Sequence, residues 1–182
     1  FESFLDARQE PEWVTEARRE AWRQFDGGAW PARNAEEWLR TDIRLFNLNK
    51  FQLPHDQPSA AAAEATLSEG VELAGGSVSC DSRPVASSLD SRWSERGVLF
   101  GSLEEVLRND ADRIRPHLMT RAFDAGYDRF ASLHAACWSG GHVLYVPRGV
   151  VVDQPFHAFS TLSDGGVDLG HTLVILEEGA EA

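Results

Sequence analysis

Three residues near the middle of the chain have the types and spacing of metal ligands. His134 and Cys137 are three positions apart on a predicted helix, so they share one face, and His142 follows a short glycine turn. Imidazole and thiolate groups bind zinc and iron–sulfur clusters. A fourth ligand is not evident, and Cys137 also continues the apolar stripe of its helix, where a free cysteine behaves as a small hydrophobic residue. We therefore interpret the three residues as part of a buried core and predict no metal site.

The other candidate groups also have simpler interpretations. Cys80 has no partner at ligand spacing. His157 and His171 lie in predicted strands, where a histidine can bind a metal or shuttle protons but usually has an ordinary hydrogen-bond partner. Glu177 and Glu178 are neighbours at a strand end, and neighbouring strand residues point to opposite faces, so their carboxylates would not converge on one substrate. The sequence assigns no catalytic or cofactor-binding residue and predicts that the chain is not an enzyme.

Three motifs of common enzyme classes are absent from the sequence. It contains no phosphate-binding G-x-x-x-x-G-K-[ST], no dinucleotide-binding G-x-G-x-x-G and no nucleophile motif G-x-S-x-G. The chain does contain 6 tryptophans. Trp13, Trp22 and Trp38 fall on or beside apolar faces of predicted helices, which favours packing. An exposed subset would instead indicate a partner site.

Composition limits the class of partner and the location. The 182 residues carry a net charge of −12, from 29 acidic and 17 basic side chains. Proteins that bind nucleic acids or anionic membranes usually have a basic surface, and a chain this acidic is not expected to have one. Neither is therefore a predicted partner. No apolar run is long enough to span a membrane, and the first residues lack the pattern of a secretion signal. The two cysteines are far apart and form no disulfide framework, so a cytoplasmic location is predicted.

Helical patterns dominate the first two thirds of the chain. In residues 11–28, Val14, Ala17, Ala21 and Phe25 recur on one helical face, and two glycines end the helix. A second helix is expected from Asn34, where a glutamate three positions later completes a capping box. Two further helices are predicted, one beginning at a capping box in residues 102–105 and one over residues 127–138. Short strands are expected between residues 71 and 101.

From residue 139 onward the pattern changes to short strands separated by turns. The segments "HVLYV", "GVVV", "FHAFSTL" and "HTLVILEE" are predicted strands. The runs "VLYV", "VVV" and "LVIL" are near-continuously apolar, which predicts burial on both faces. No helix of useful length lies between them, so a β-α-β sheet is excluded. The pattern alone leaves a barrel, a sandwich and a β-solenoid open.

Two separated segments resemble the SufB/SufD family of iron–sulfur cluster assembly proteins: "FASLHAACWSGGHVLYVPRGVVVDQP" and "HTLVILEEGAEA". The segment "EPEWVTEARREAWRQF", followed by "EEWLRTD", resembles the SufD branch. The resemblance runs from about residue 10 to the end and is weakest over residues 54–95. It implies an α+β fold in which an N-terminal helical region precedes the first coils of a right-handed parallel β-helix, truncated at residue 182.

The resemblance also implies a function and a segment order. In the family, SufD pairs with SufB through the β-helix, both bind the ABC-type ATPase SufC, and an iron–sulfur cluster is held transiently in the full complex. The chain would be a non-catalytic, SufD-like scaffold fragment, and the family's functional residues would lie beyond it. The expected segments are a helical region (1–53), a linker (54–70), a small mixed α/β segment (71–138) and the start of the β-helix (139–182).

Two other functions are compatible with the residues. A β-solenoid enzyme acting on carbohydrate would need acidic residues that converge along one face. A free-standing protein-binding module would expose tryptophans such as Trp13, Trp22 or Trp30 beside a closed β-core. In a truncated β-helix the last strand would have an unpaired edge, which predicts a homodimer formed through that edge.

Overall fold

The computed structural model describes residues 1–32, 34–50, 68 and 70–182. Its helices are α1 (Glu2–Asp6), α2 (Glu12–Gly27), α3 (Ser91–Ser94), α4 (Leu103–Asn109), α5 (Ala111–Ile114) and α6 (Arg129–Cys137). Its strands are β1 (Gly75–Cys80), β2 (Arg83–Leu89), β3 (Leu99–Ser102), β4 (His142–Val146), β5 (Phe156–Thr161) and β6 (Leu173–Leu176). The mixed α+β class expected from the sequence is confirmed. None of the helices in this part of the chain is long and apolar enough to cross a membrane.

The chain divides into two units by its internal contacts. The first unit contains residues 1–53 and 119–138, and the second contains residues 54–118 and 139–182. Helix α6, which the sequence assigns to the mixed segment, is thus grouped with the N-terminal helices. The predicted linker over residues 54–70 lies almost entirely outside the described residues.

The first unit is built on the packing of α2 against α6. The predicted helix over residues 11–28 is confirmed, with Pro11 preceding its first turn and the backbone N–H of Gly28 donating to Phe25 at its end. Val14, Ala21 and Phe25 are buried as predicted, but Ala17, predicted on the same face, is exposed. The same buried face also contains a charged residue, Arg18, which the apolar pattern did not include.

The prediction of a helix that begins at Asn34 is wrong. The described chain instead forms three single turns of 3-10 helix, at Glu36–Trp38, Ile43–Leu45 and Leu48–Lys50. No side chain caps the first of these turns. The carboxamide of Asn47 accepts a hydrogen bond from the backbone N–H of Asn49 at 3.0 Å, a local contact that competes with helix hydrogen bonding. Leu45 remains 82% exposed, so the segment lacks a continuous apolar face to bury.

The second unit contains two three-stranded sheets, ordered β2–β1–β5 and β3–β4–β6. In each sheet the central strand is antiparallel to one neighbour and parallel to the other. Neither sheet closes into a barrel within the part of the chain that the structure describes. Strand β2 has no counterpart among the predicted strands, because its sequence RPVASSL contains a proline and only two large apolar residues, Val85 and Leu89, without a clear alternation.

The parallel pairing at the C-terminal end keeps one register throughout. Val143 lies opposite Leu173, and the next three residues of β4 and β6 continue the same pairing. The isolated bridge between Gly140 and Gly170 and a second one nearer the end keep the same separation of 30 positions. A separation that stays constant over this length means that residues 170–181 follow the path of residues 140–151, one strand spacing away.

Burial of these strands differs from the prediction. Strand β4 is covered on both faces, as expected from its apolar run. The valine segment at 150–152 is not a strand, although Val151 forms an isolated bridge. In β6, Val174 is 58% and Leu176 is 47% exposed, so the expectation of burial on both faces is wrong there. Strand β6 pairs only with β4 among the described residues, which leaves its other edge uncovered.

The core of the second unit surrounds the tryptophan of α3. Six buried side chains form one apolar cluster, at Ala74, Trp93, Val98, Val146, Val150 and Val152. Beside it, α4 begins as predicted, since the hydroxyl oxygen of Ser102 accepts from the backbone N–H of Glu105 at 3.4 Å. The predicted helix then breaks at Asp110, which has a non-helical backbone, and resumes as α5.

Candidate functional site

The three candidate metal ligands lie in different surroundings. His134 and Cys137 belong to α6 in the first unit, and His142 begins β4 in the second. Burial raises the pKa of the Cys137 thiol to about 11, so it is protonated at neutral pH and does not favour a metal ion. The ring of His134 packs near that of Phe123, with centroids 5.4 Å apart. Within the described ranges, no three His, Cys, Asp or Glu side chains are grouped so that they could hold a metal ion.

Arg18 is the centre of a buried polar cluster in the first unit. Its Nε and Nη2 atoms each donate to one carboxylate oxygen of Glu10, both at 2.7 Å. Its Nη1 atom donates to the backbone carbonyls of Ala136 at 3.1 Å and Trp138 at 2.8 Å, at the end of α6. The guanidinium also lies 4.0 Å from the centroid of the Trp138 ring. These contacts tie three segments of the first unit together through one side chain.

The partner of Arg18 is held ionised by this cluster. Burial raises the pKa of Glu10, but the hydrogen bonds and positive charges of Arg18 and Arg8 together bring it below its ordinary value. Both carboxylate oxygens are occupied, because Arg8 donates to the oxygen that also faces Nη2. Glu10 therefore serves as a structural anion and offers no open position for a substrate.

His142 is the centre of a second polar cluster, in the second unit. Its side chain is buried, and Nδ1 lies 2.8 Å from the hydroxyl oxygen of Ser77. Nε2 lies 3.3 Å from that of Ser79 and 3.1 Å from that of Ser160. Burial lowers the pKa of His142, while the negative charge of Asp168 acts in the opposite direction. The imidazole is therefore neutral near pH 7.

This cluster was not found from the sequence, because its members come from three separate strands. Ser77 and Ser79 lie on β1, Ser160 on β5 and His142 on β4. The alternation of serines at 77 and 79 was the available signal, since two such residues point to the same face of a strand. A hydroxyl beside a neutral imidazole can act as a nucleophile when a third group orients the base. Here the group on Nδ1 is another hydroxyl, and both serines of β1 are buried, so the cluster is suited to joining strands.

The remaining strand candidates have structural partners. Cys80 is buried at the end of β1. The ring of His157 stacks on that of Phe159, with centroids 6.0 Å apart. The backbone N–H of His171 donates to the carbonyl of Gly140 at 2.9 Å. The structure brings none of these residues to a shared site.

The two adjacent glutamates lie after the end of β6 and contact different groups of residues 145–148. The hydroxyl of Tyr145 donates to Glu177 at 2.8 Å, and the backbone N–H of Arg148 donates to its other oxygen at 2.9 Å. These hydrogen bonds lower the pKa of Glu177. Glu178 instead forms an ion pair with the guanidinium of Arg148 at 2.6 Å. The two carboxylates therefore connect residues 145–148 to residues 177–178 and do not converge on a substrate.

One tryptophan of the first unit is exposed. Trp22 stacks on Phe1 at 4.4 Å and Trp38 on Phe130 at 4.9 Å, which agrees with the predicted packing. Trp30 is 41% exposed. It borders an open cavity of about 390 Å³ whose lining residues are Trp30, Ile43, Phe46, Asn47 and Leu48.

Comparison with known proteins gives one consistent name. No family model matches the chain. An iron-sulfur cluster assembly SufBD family protein of Staphylococcus haemolyticus is 25% identical over 187 residues, covering 95% of this chain and 39% of that protein. One from Staphylococcus aureus is 22% identical over the same coverage. One from Staphylococcus epidermidis is 31% identical over 109 residues, covering 59% of this chain and 23% of that protein.

The chain spans about two fifths of the length of the curated relatives that align with nearly all of it. The alignments therefore concern one part of those proteins. They cover both the N-terminal helical unit and the C-terminal strands, because 95% of this chain is included. The same family name recurs in relatives from several species, and it is the family that the segments around "WSGGHVLYVPRGVVV" resemble. These comparisons support membership of the chain in the SufB/SufD family.

Proposed function

We propose that this chain is part of a SufD-like scaffold subunit of a SUF iron–sulfur cluster assembly complex and is not catalytic on its own. The observation that carries the proposal is the similarity of 95% of the chain to relatives named for iron–sulfur cluster assembly. The segment "EPEWVTEARREAWRQF" supports the SufD branch. In the structure this segment supplies Glu10 and Arg18, whose ion pair organises the first unit.

The proposed platform is a right-handed parallel β-helix that begins near residue 139. The constant separation of 30 positions supports it, because successive coils of a solenoid stack in register. The turns support it as well: Gly149 and Gly179 have φ angles of 70° and 71°, and the N–H of Gly149 donates to Glu178 at 3.1 Å. One coil and the start of a second would then lie within residues 140–182.

The contacts of the candidate groups support a scaffold in preference to an enzyme. An enzyme acting on carbohydrate needs two carboxyl groups that face one bond. Glu177 and Glu178 are instead bound to Tyr145 and Arg148. Cys137 is buried with a raised pKa, so it is a poor nucleophile. The alternative of a free-standing binding module is supported by the exposure of Trp30, but its expected closed β-core is absent from the described residues.

The proposal includes partners and a location. In the complete protein we expect a SufB-like subunit to pair with the β-helix and a SufC-like ABC ATPase to bind both. The iron–sulfur cluster would be the transient cargo of that complex, assembled with residues outside this chain. We expect the complex in the cytoplasm, without nucleic acid or membrane partners.

Co-purification tests this proposal. The complete reading frame that contains this chain would be co-expressed with the SufB-like and SufC-like proteins of the same genome, with an affinity tag on the SufB-like subunit. We expect all three to elute together in a fixed ratio and the complex to gain the visible absorption of an iron–sulfur cluster on reconstitution with ferrous iron and sulfide. A tagged SufB-like subunit that binds its ATPase but never this protein would contradict the proposal.

A further inference from the structure

His142 connects the two sheets of the second unit. The residue begins β4, in the sheet ordered β3–β4–β6. Its ring contacts Ser77 and Ser79 on β1 and Ser160 on β5, which belong to the other sheet. The residue is only 4% exposed, and so it makes these contacts away from solvent.

The hydrogen bonds of this cluster are satisfied when the imidazole is neutral. A neutral ring has one nitrogen that donates and one that accepts. The hydroxyl of Ser79 donates to Ser160 at 3.0 Å, which leaves the hydroxyl proton of Ser160 for Nε2 of His142. Nδ1–H then donates to Ser77. In this arrangement both ring nitrogens have a partner of the required kind.

Protonation would disturb the cluster in two ways. Both ring nitrogens of an imidazolium donate, so the hydroxyl of Ser160 would have to turn away from Nε2. The new charge would be buried against three hydroxyl groups, none of which is an anion. Asp168 is the charged group that favours the protonated ring, but its Oδ1 atom already accepts from the hydroxyl of Ser82 and the N–H of Gly170, both at 2.7 Å.

Among the residues that the structure describes, Asp168 is the one anion whose charge acts on the His142 ring. On β3 the residue opposite His142 is Ser102, which carries no charge. In the following coil, His171 approaches the adjacent Gly141 through its backbone. A second titratable imidazole at that position cannot offset a positive charge on the first.

We propose that His142 is an acid-sensitive pin between the two sheets, which the neutral ring holds together and the protonated ring releases. The pin is independent of the SufD-like scaffold function and would operate in any protein with this second unit. Because burial lowers the pKa of His142 in the folded state, the unfolded chain takes up the proton first. The second unit therefore loses stability as the pH falls below the ordinary histidine value of 6.5.

Two measurements on the intact protein test the pin. In the first, the imidazole signals of histidine-labelled protein are titrated by NMR between about pH 8 and pH 5. We expect the signal assigned to His142 to titrate below 6.5 and to show the tautomer in which Nδ1 carries the proton. A signal that titrates at or above 6.5 would overturn the proposal without any need for a variant.

The second measurement follows amide hydrogen exchange over the same pH range, expressed as protection factors that are corrected for intrinsic exchange. We expect protection in β1, β4 and β5 to fall on acidification, while protection in α2 is retained. His142→Gln should remove this pH dependence, because the carboxamide still donates and accepts but does not titrate. His157→Gln, on β5 but outside the cluster, should keep it. If protection in His142→Gln depended on pH as it does in the wild type, the proposal would be wrong.

Discussion

Arg18 shows how a single buried charge can organise a helical unit. Arg18 is fully buried on α2. Its guanidinium donates hydrogen bonds to the carboxylate of Glu10 and to two backbone carbonyls at the end of α6. A buried guanidinium is tolerated only when its hydrogen-bonding capacity is used and an anion is adjacent. The residue therefore stabilises the first unit as long as all of its partners are present.

Replacing this arginine is expected to be costly. Arg18→Met should lower the free energy of unfolding by about 3–5 kcal/mol, because it leaves the buried carboxylate of Glu10 without its main partner. Urea unfolding followed by circular dichroism measures the change. Arg19→Met is the matched control on the same helix, since Arg19 pairs with Glu2 at the surface, and it should leave the stability nearly unchanged. Equal losses in both variants would contradict the role given to Arg18.

The contribution of Glu10 to the stability of this cluster depends on pH. Its folded-state pKa lies below the ordinary value of 4.5, so its contribution to stability is complete above 4.5 and is lost as the pH falls through the folded-state value. The difference in unfolding free energy between the wild type and Glu10→Gln should therefore shrink as the pH falls below 4.5. Unfolding curves at a series of pH values measure this difference. If this difference in unfolding free energy stayed constant with pH, Glu10 would not be ionised in the folded protein.

At the scale of elements, the glycine turn before β4 has a steric requirement. Gly140 and Gly141 have φ angles of 152° and 121°, which residues with a side chain rarely adopt. A Cβ atom at Gly140 would overlap the backbone carbonyl of Ser82, and one at Gly141 would overlap the backbone of His171. The turn therefore lets β4 approach both the β1–β2 turn and the following coil.

A methyl group at this turn should be poorly tolerated. Gly140→Ala is expected to lower the free energy of unfolding by more than about 1–3 kcal/mol, because the energetic cost of the steric overlap adds to that of the strained backbone. Gly27→Ala provides the control, because Gly27 ends α2 with no atom near its Cβ position, and a helical alanine should stabilise by about 0.5–1 kcal/mol. Thermal unfolding of the two variants separates these outcomes. A neutral Gly140→Ala would mean that the turn relaxes without cost.

At the scale of the whole molecule, strand β6 exposes an unpaired edge. It pairs only with β4 in the part of the chain described, and Val174 and Leu176 beside that edge are largely exposed. In the proposed β-helix the following coil would cover this edge. A polypeptide limited to residues 1–182 would present it to a second copy, because free edges of sheets recruit strands.

We therefore expect the polypeptide of residues 1–182 to self-associate in a concentration-dependent way. Light scattering coupled to size-exclusion chromatography measures its mass. Val174→Lys should favour the monomer, because a charge on an edge strand opposes pairing. Leu39→Lys, an exposed apolar residue of the first unit, should leave the association unchanged. A wild-type polypeptide that stays monomeric at high concentration would contradict pairing through β6.

Local signals in the sequence predicted several elements correctly. The apolar period and terminal glycines predicted α2, the hydroxyl of Ser102 predicted the start of α4, and the run "HVLYV" predicted β4. These features depend on residues within a few positions of each other, so the sequence contains their cause. The same signals predicted a helix from Asn34 that the structure lacks, because a capping pattern cannot form a helix without an apolar face to bury.

The sequence by itself determined the α+β class, the acidic charge, the position of α2 and the change to short strands after residue 139. Only the tertiary structure decided that Gly140 lies beside Gly170, that Arg18 reaches the end of α6, and that His142 meets serines of the opposite sheet. These contacts join residues 18 to 120 positions apart. They arise when strands and helices pack in three dimensions, and no local period or cap specifies which distant residues will meet.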